Sequence, residues 1–182
     1  MKRIKLLTFV FLTILTISCS SDDDSSSNNE NNITLGTSVY EMNTAIVEPT
    51  LNNSVFLSLT NSTEAQIEAS FEGTTLNNVD YFTARISYPD LTSNVTYDLS
   101  DLSNLEFIVN GDVIDAEYEN GFSQFYKSGS DPDLEVTQGS ITVTNYSTDN
   151  LTLTLNFTRN DGTEISGTYE GSFIDISNSL ER

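Results

Sequence analysis

Asp115, Glu117 and Glu119 recur at every second position, which puts three carboxylates on one face of an extended segment. Paired carboxylates are the chemistry of glycoside hydrolysis. The intervening Ile114, Ala116 and Tyr118 claim the core side, however, so the acids are expected to project into solvent as a charged strand face. A second set, Asp131, Asp133 and Glu135, lies in the run Ser-Gly-Ser-Asp-Pro-Asp-Leu-Glu and could offer three loop carboxylates to Ca²⁺. It is a weak candidate, because Pro132 and Leu134 stand where a calcium loop needs its turn glycine and register. No other cofactor is implied.

The chain has no histidine, no tryptophan and one cysteine, Cys19. Ser/His/Asp and Cys/His triads and imidazole zinc sites are therefore excluded, as is any intramolecular disulfide. Carboxylates, Tyr, Ser and Thr remain, with three bases inside the folding region, Arg85, Lys127 and Arg159. Arg85 shares the outer parity of Thr83 and Ser87, which suggests a surface ion pair. Among the aromatics, Tyr40, Tyr81 and Phe125 are those that alternation does not place inside, and an exposed one could stack on a sugar.

The elements that must position these groups are strands. Leu151, Leu153, Leu155 and Phe157 alternate with Thr and Asn without a fault, a half-buried strand. Asn160-Asp161-Gly162 then supplies a tight hairpin, and Ile165, Gly167, Tyr169, Gly171 and Phe173 return on one face. Gly167 and Gly171 on that inward side imply a bend, a bulge or a large neighbour overhead. Upstream, Asn110-Gly111 and Asn120-Gly121 read as two further hairpin turns, so that 105–126 forms a three-stranded meander. Val55/Leu57/Leu59 and Ala65/Ile67/Ala69/Phe71 read as strands flanking a turn at Asn61-Ser62-Thr63. The switch of inward parity around Gln138-Gly139 marks a bulge or corner. The only stretches with any helical leaning are 74–80 and 99–105. The expectation is one all-β antiparallel meander domain over 33–182, with local hairpins slightly favouring an up-and-down, calycin-like barrel over a β-sandwich.

The N-terminus reads differently. Lys2, Arg3 and Lys5 precede an apolar run from Leu6 to Ile17, the length of a secretory signal and too short for the about 20 residues of a membrane span. Ser18-Cys19 after this run resembles the lipobox of bacterial lipoproteins, with Ile17 and Thr16 departing from its usual residues. The resemblance implies removal of 1–18 and acylation of Cys19, palmitate included, as an outer-membrane anchor. Ser21, Asp22, Asp23 and Asp24 resemble the acidic export signal of Bacteroidota surface lipoproteins, which implies a protein facing the cell exterior. Residues 19–32, with no apolar group after Cys19, form a tether.

Without 1–18, four basic groups face 27 acidic ones, a net charge of −23. Phosphate backbones repel such a chain, so nucleic acid is excluded as a partner. The Thr-rich hairpins of 140–144, 151–158 and 165–173 resemble those of small uncharacterised Bacteroidota lipoproteins with lipocalin-like or sandwich domains. Together these features point to a non-enzymatic surface module for binding or adhesion, its partner a glycan, a small apolar ligand or a protein. A carboxylate-dependent glycan hydrolase and a structural accessory subunit of an outer-membrane complex are the alternatives.

Overall fold

Alternation governs the architecture, and one capping motif interrupts it. The computed structural model describes residues 31–115 and 117–176; Cys19, the acidic run Ser21–Asp24 and the tether up to residue 30 lie outside them. In chain order the elements are β1 (Asn32–Leu35), β2 (Ser38–Glu41), β3 (Thr44–Thr50), β4 (Ser54–Thr60), α1 (Glu64–Phe71), β5 (Leu76–Ile86) and β6 (Val95–Asp98). They continue as β7 (Leu102–Ile114), β8 (Glu117–Glu119), β9 (Phe122–Tyr126), β10 (Val136–Tyr146), β11 (Leu151–Arg159), β12 (Glu164–Gly171) and β13 (Phe173–Asp175).

The strands form two sheets. The first has the order β2-β1-β12-β11-β10-β6 and the second β13-β3-β4-β5-β7-β8, with β9 also on β7. The all-β expectation holds, but the sheets do not close into a barrel; the domain is sandwich-like. Nor is it a plain meander. The chain changes sheet between β2 and β3, β5 and β6, β6 and β7, β9 and β10, and β12 and β13, and β13 joins β3 in parallel. Local hairpins such as β10-β11-β12 are common to barrels and sandwiches, so their strength could not separate the two.

The space between the sheets is filled by apolar side chains. Leu57, Phe82, Phe107, Phe125, Leu155 and Phe157 are buried there to within 1% of complete enclosure. Phe125 takes the centre, with ring centroids 5.5 Å from Phe107, 6.3 Å from Phe82 and 6.4 Å from Phe157 of the opposite sheet. Tyr169 ties the layers together: its hydroxyl accepts from the Ala45 N–H at 3.2 Å and donates to the Ser172 carbonyl at 2.6 Å. A buried phenol needs such partners, and burial pushes its pKa up.

Two expected turns are bulges. β7 runs through Asn110-Gly111 without reversing, because Asn110 at φ 53° takes the left-handed conformation within the strand and shifts the register against β5. Val109 therefore joins the inner core while Val113 joins the opposite face. β8 and β9 lie in succession along the same edge of β7, so Asn120-Gly121 is a second interruption of one edge and not a turn. The reversal falls between Ile114 and Glu117, with Asp115 at φ 51°. The turn at Asn160-Asp161-Gly162 and the bulge near Gln138-Gly139 are where the alternation puts them. Gly139 has φ 136°, and a Cβ there would meet the Asn156 carbonyl oxygen at 2.2 Å. At Gly167 the constraint is a close neighbour: an added Cβ would come to 2.8 Å of the Asn32 carbonyl oxygen on β1.

The segment read as a strand at 65–71 is the helix α1. Thr63 is its N-cap and Gln66 its N3 residue: the Gln66 N–H donates to Thr63 Oγ1 at 3.4 Å and the Thr63 N–H to Gln66 Oε1 at 2.8 Å. This reciprocal pair satisfies donors that every helix start leaves open. The stretch 74–80, by contrast, enters β5, and within 99–105 a 3₁₀ turn occupies Leu99–Asp101 before β7.

Candidate functional site

Helix α1 leaves the end of β4 and folds back over the outer face of the second sheet. Ile67 is its inward anchor, and with Leu76, Val79 and Val113 it builds a second, smaller apolar cluster. The helix is only two turns long, so it covers part of the face and leaves a groove of about 210 Å³ beside it. Phe71 on α1 forms one wall, and Ile46, Glu48, Phe56 and Tyr81 from β3, β4 and β5 line the sheet side, with Tyr118 from β8.

The sheet side of the groove is made of hydroxyls and rings. Ser58 and Thr60 point to the outer face of β4, yet they are 3% and 0% exposed. Their oxygens are used within the protein. Ser58 Oγ lies 2.8 Å from the Tyr81 hydroxyl and donates to Thr83 Oγ1 at 3.2 Å, while Thr60 Oγ1 accepts from the Ser62 N–H at 3.2 Å. Ser70 on the helix donates to the Ile67 carbonyl at 2.7 Å. Tyr81 and Tyr118 stack with centroids 5.4 Å apart, and the Tyr118 hydroxyl donates to the Val79 carbonyl at 2.6 Å.

Both phenols are held in the neutral form. Burial is the main cause for each, and the negative charge of Glu48 raises Tyr81 further, against the opposing hydrogen bonds from Ser58 and Thr83. Tyr118 is pushed up to about 12, first by burial, with the charges of Asp80, Asp112 and Glu106 adding to it. At neutral pH neither can act as a base. Each is a hydroxyl on a flat apolar ring, suited to contact with a ligand and not to proton abstraction.

Among the described residues Glu48 is the single carboxylate that lines the groove. Two-carboxylate hydrolysis requires a second acid facing the first across the bound bond, and no other described residue of the lining is one. No protein-family model, curated protein or solved structure matches the chain. Its function has to be argued from this geometry and from the N-terminal sequence.

The residues singled out by sequence are dispersed. Asp115, Glu117 and Glu119 are exposed, as the parity of their neighbours implied, but the turn puts Asp115 outside the β8 strand that carries the other two. Asp131 does not reach towards Asp133 and Glu135 as a co-ligand; its carboxylate caps a 3₁₀ turn by accepting from the Asp133 N–H at 3.1 Å. Among the described residues no three acids gather at metal-binding distance. Phe125 is core, and Tyr40 sits edge-on to Phe107 at 5.1 Å. Of the three unplaced aromatics, only Tyr81 lines the groove.

Among the described residues Arg85 makes no ion pair. Its Nε donates to Ser54 Oγ at 2.9 Å and its guanidinium lies 5.4 Å from the Phe56 ring centroid. Lys127 donates to the carbonyls of Leu99 and Leu102. The ion pair seen among the described residues joins Arg159 and Asp161 at the β11-β12 turn. That guanidinium, with the Thr163 N–H, holds the Asp161 carboxyl well below the usual carboxylate range. Sequence reasoning missed Glu48, Ser58, Phe71 and Tyr118 as a group because the helix that gathers them was read as a strand. The Thr63-x-x-Gln66 spacing was the signal for it.

Proposed function

We propose that the chain is a lipid-anchored lipoprotein of the outer membrane, facing the cell exterior, whose β-domain is a non-enzymatic module that binds a small ligand in the groove beneath α1. The anchor and the outward address rest on the resemblance of Ser18-Cys19 and Ser21–Asp24 to lipoprotein signals. The observation that carries the binding role is the groove itself: aromatic rings and satisfied hydroxyls surround about 210 Å³, with one carboxylate. Drug-sized ligands occupy about 300 Å³ or more, so the occupant is of the size of one sugar ring or one amino-acid side chain. Phe71, 57% exposed in the free protein, is the kind of wall that a ligand covers.

The test uses protein extracted from the membrane fraction, a fraction from which a Cys19→Ser variant should be lost. The wild-type protein is melted against a panel of monosaccharides, small amines, fatty acids and Ca²⁺. A ligand at 100 times its Kd adds about 2.7 kcal/mol, which a domain of this size registers as a rise of several degrees in Tm. A rise that Phe71→Ala abolishes supports the groove. A flat panel, or a rise indifferent to Phe71, overturns it.

A further inference from the structure

Among the described residues no basic side chain pairs with Glu48. Among the described residues the basic side chains are Arg85, Lys127 and Arg159, and each is engaged elsewhere: Arg85 with Ser54 and Phe56, Lys127 with two backbone carbonyls, Arg159 with Asp161 and the Gln124 carbonyl. The one ion pair among those residues does not involve Glu48. Glu48 nevertheless lines the groove half-buried, on β3 directly opposite Phe56 of β4. Placing a carboxylate against apolar walls costs hydration that a cation would restore.

The rest of the groove has the same preference. Phe71, Tyr81 and Tyr118 line the same space as Glu48, and aromatic rings attract cations electrostatically. The two hydroxyls nearest the rings are internally bonded, Tyr81 with Ser58 and Tyr118 with the Val79 carbonyl, so they are not free for the multiple hydrogen bonds that a sugar demands. The field of the chain points the same way, with a net charge of −20. Arg85 sits at the far side of Phe56, which assigns the ligand's charge to the Glu48, Tyr81 and Phe71 side of the groove.

From this charge complementarity we propose that the groove binds a small organic cation, an ammonium group carried on a compact apolar body, with Glu48 as its counterion and Phe71 and the tyrosine pair as its aromatic walls. This rests on the groove being the binding site and names the chemical class it takes. Neutral sugars and fatty acids are disfavoured, the first by the internally bonded hydroxyls and the second by the carboxylate.

The experiment is an NMR titration of the full chain, held in a polyoxyethylene detergent and labelled in its Phe and Tyr rings. The probes are choline, its uncharged isostere 3,3-dimethylbutan-1-ol, and glucose. Choline should shift the rings of Phe71, Tyr81 and Tyr118, and the isostere should not do so at the same concentration. Glu48→Gln should weaken choline by about tenfold, the loss of one charged contact, with the remaining ring spectrum unchanged. Choline without effect on these rings, equal response to its isostere, or an affinity unaltered by Glu48→Gln each overturns the cation assignment. If glucose or the alcohol shifts the same rings, the groove remains a binding site and only its charge preference falls. If nothing shifts them and the melting panel is also flat, the binding role falls as well.

Discussion

The two faces of the second sheet are both covered, and they are covered in different ways. On β4, Val55, Leu57 and Leu59 face the first sheet and are wholly buried among other hydrocarbon. Ser54, Ser58 and Thr60, on the same strand, face outward and are almost as inaccessible, yet they meet hydroxyls, rings and a two-turn helix. The inner face is closed by a whole opposing sheet, with aromatic rings interlocked across the gap. On the outer face the helix packs down through Ile67 onto Leu76, Val79 and Val113 and leaves the groove beside it. Burial on one side is complete and specifies the fold; on the other it is partial and leaves a concave surface that a ligand can finish. Burial therefore marks stability in one place and a site in the other, and the partners of the buried atoms tell which.

The contrast is sharpest in stability. Phe82→Ala should remove about 3 to 5 kcal/mol, because a closed core cannot collapse around the lost ring, and denaturant unfolding measures it. Phe71→Ala on the outer face should cost far less by the same measurement, since that ring is 57% exposed. Equal losses would mean that the outer cluster is a second core and the distinction is wrong. Thr63→Ala should cost about 1 kcal/mol through the lost cap. Amide exchange should then quicken in α1 while β4 and β11 keep their protection; uniform quickening would show that the helix folds as one unit with the sandwich.

The smallest effect is one of pH. Tyr118 stays protonated up to about 12 in the folded protein, against an ordinary value of 10.0. Between these values the unfolded chain has released a proton that the folded chain retains, so stability is full below pH 10 and falls as pH rises towards 12. Tyr118→Phe should flatten that fall, read from denaturant midpoints across the range. Tyr146, raised to about 12 by burial and by Asp90 and Asp175, packs against Phe173 beside the inner core. It should keep part of the slope in the variant. A slope unchanged by Tyr118→Phe would place the alkaline sensitivity on the other raised phenols, Tyr81, Tyr146 and Tyr169.

Most strands were legible because period-two alternation is a local property. Leu151 to Phe157 and Ile165 to Tyr169 needed no partner in view to declare their inner side, and the Asn-Asp-Gly turn between them followed from backbone sterics alone. The site was not legible. An isolated Asn-Gly pair is compatible with a turn or with a left-handed residue inside a strand, and only the β5-β7 ladder selected the second at Asn110. Ala65, Ile67, Ala69 and Phe71 likewise fit a strand by alternation, until the Thr63–Gln66 cap made a helix the better use of the same residues.

By itself, the amino-acid sequence determined an all-β domain, its inward residues, its acidity and the absence of imidazole and thiol chemistry from the folding region. These depend on residue type and on neighbours one or two positions away. Tertiary structure alone decided that the strands make two sheets and not a barrel, because closure depends on which edges meet. It also decided that Glu48, Phe71, Tyr81 and Tyr118 share one groove. Those four come from separate elements and carry no common spacing; what unites them is a short helix laid over a sheet face.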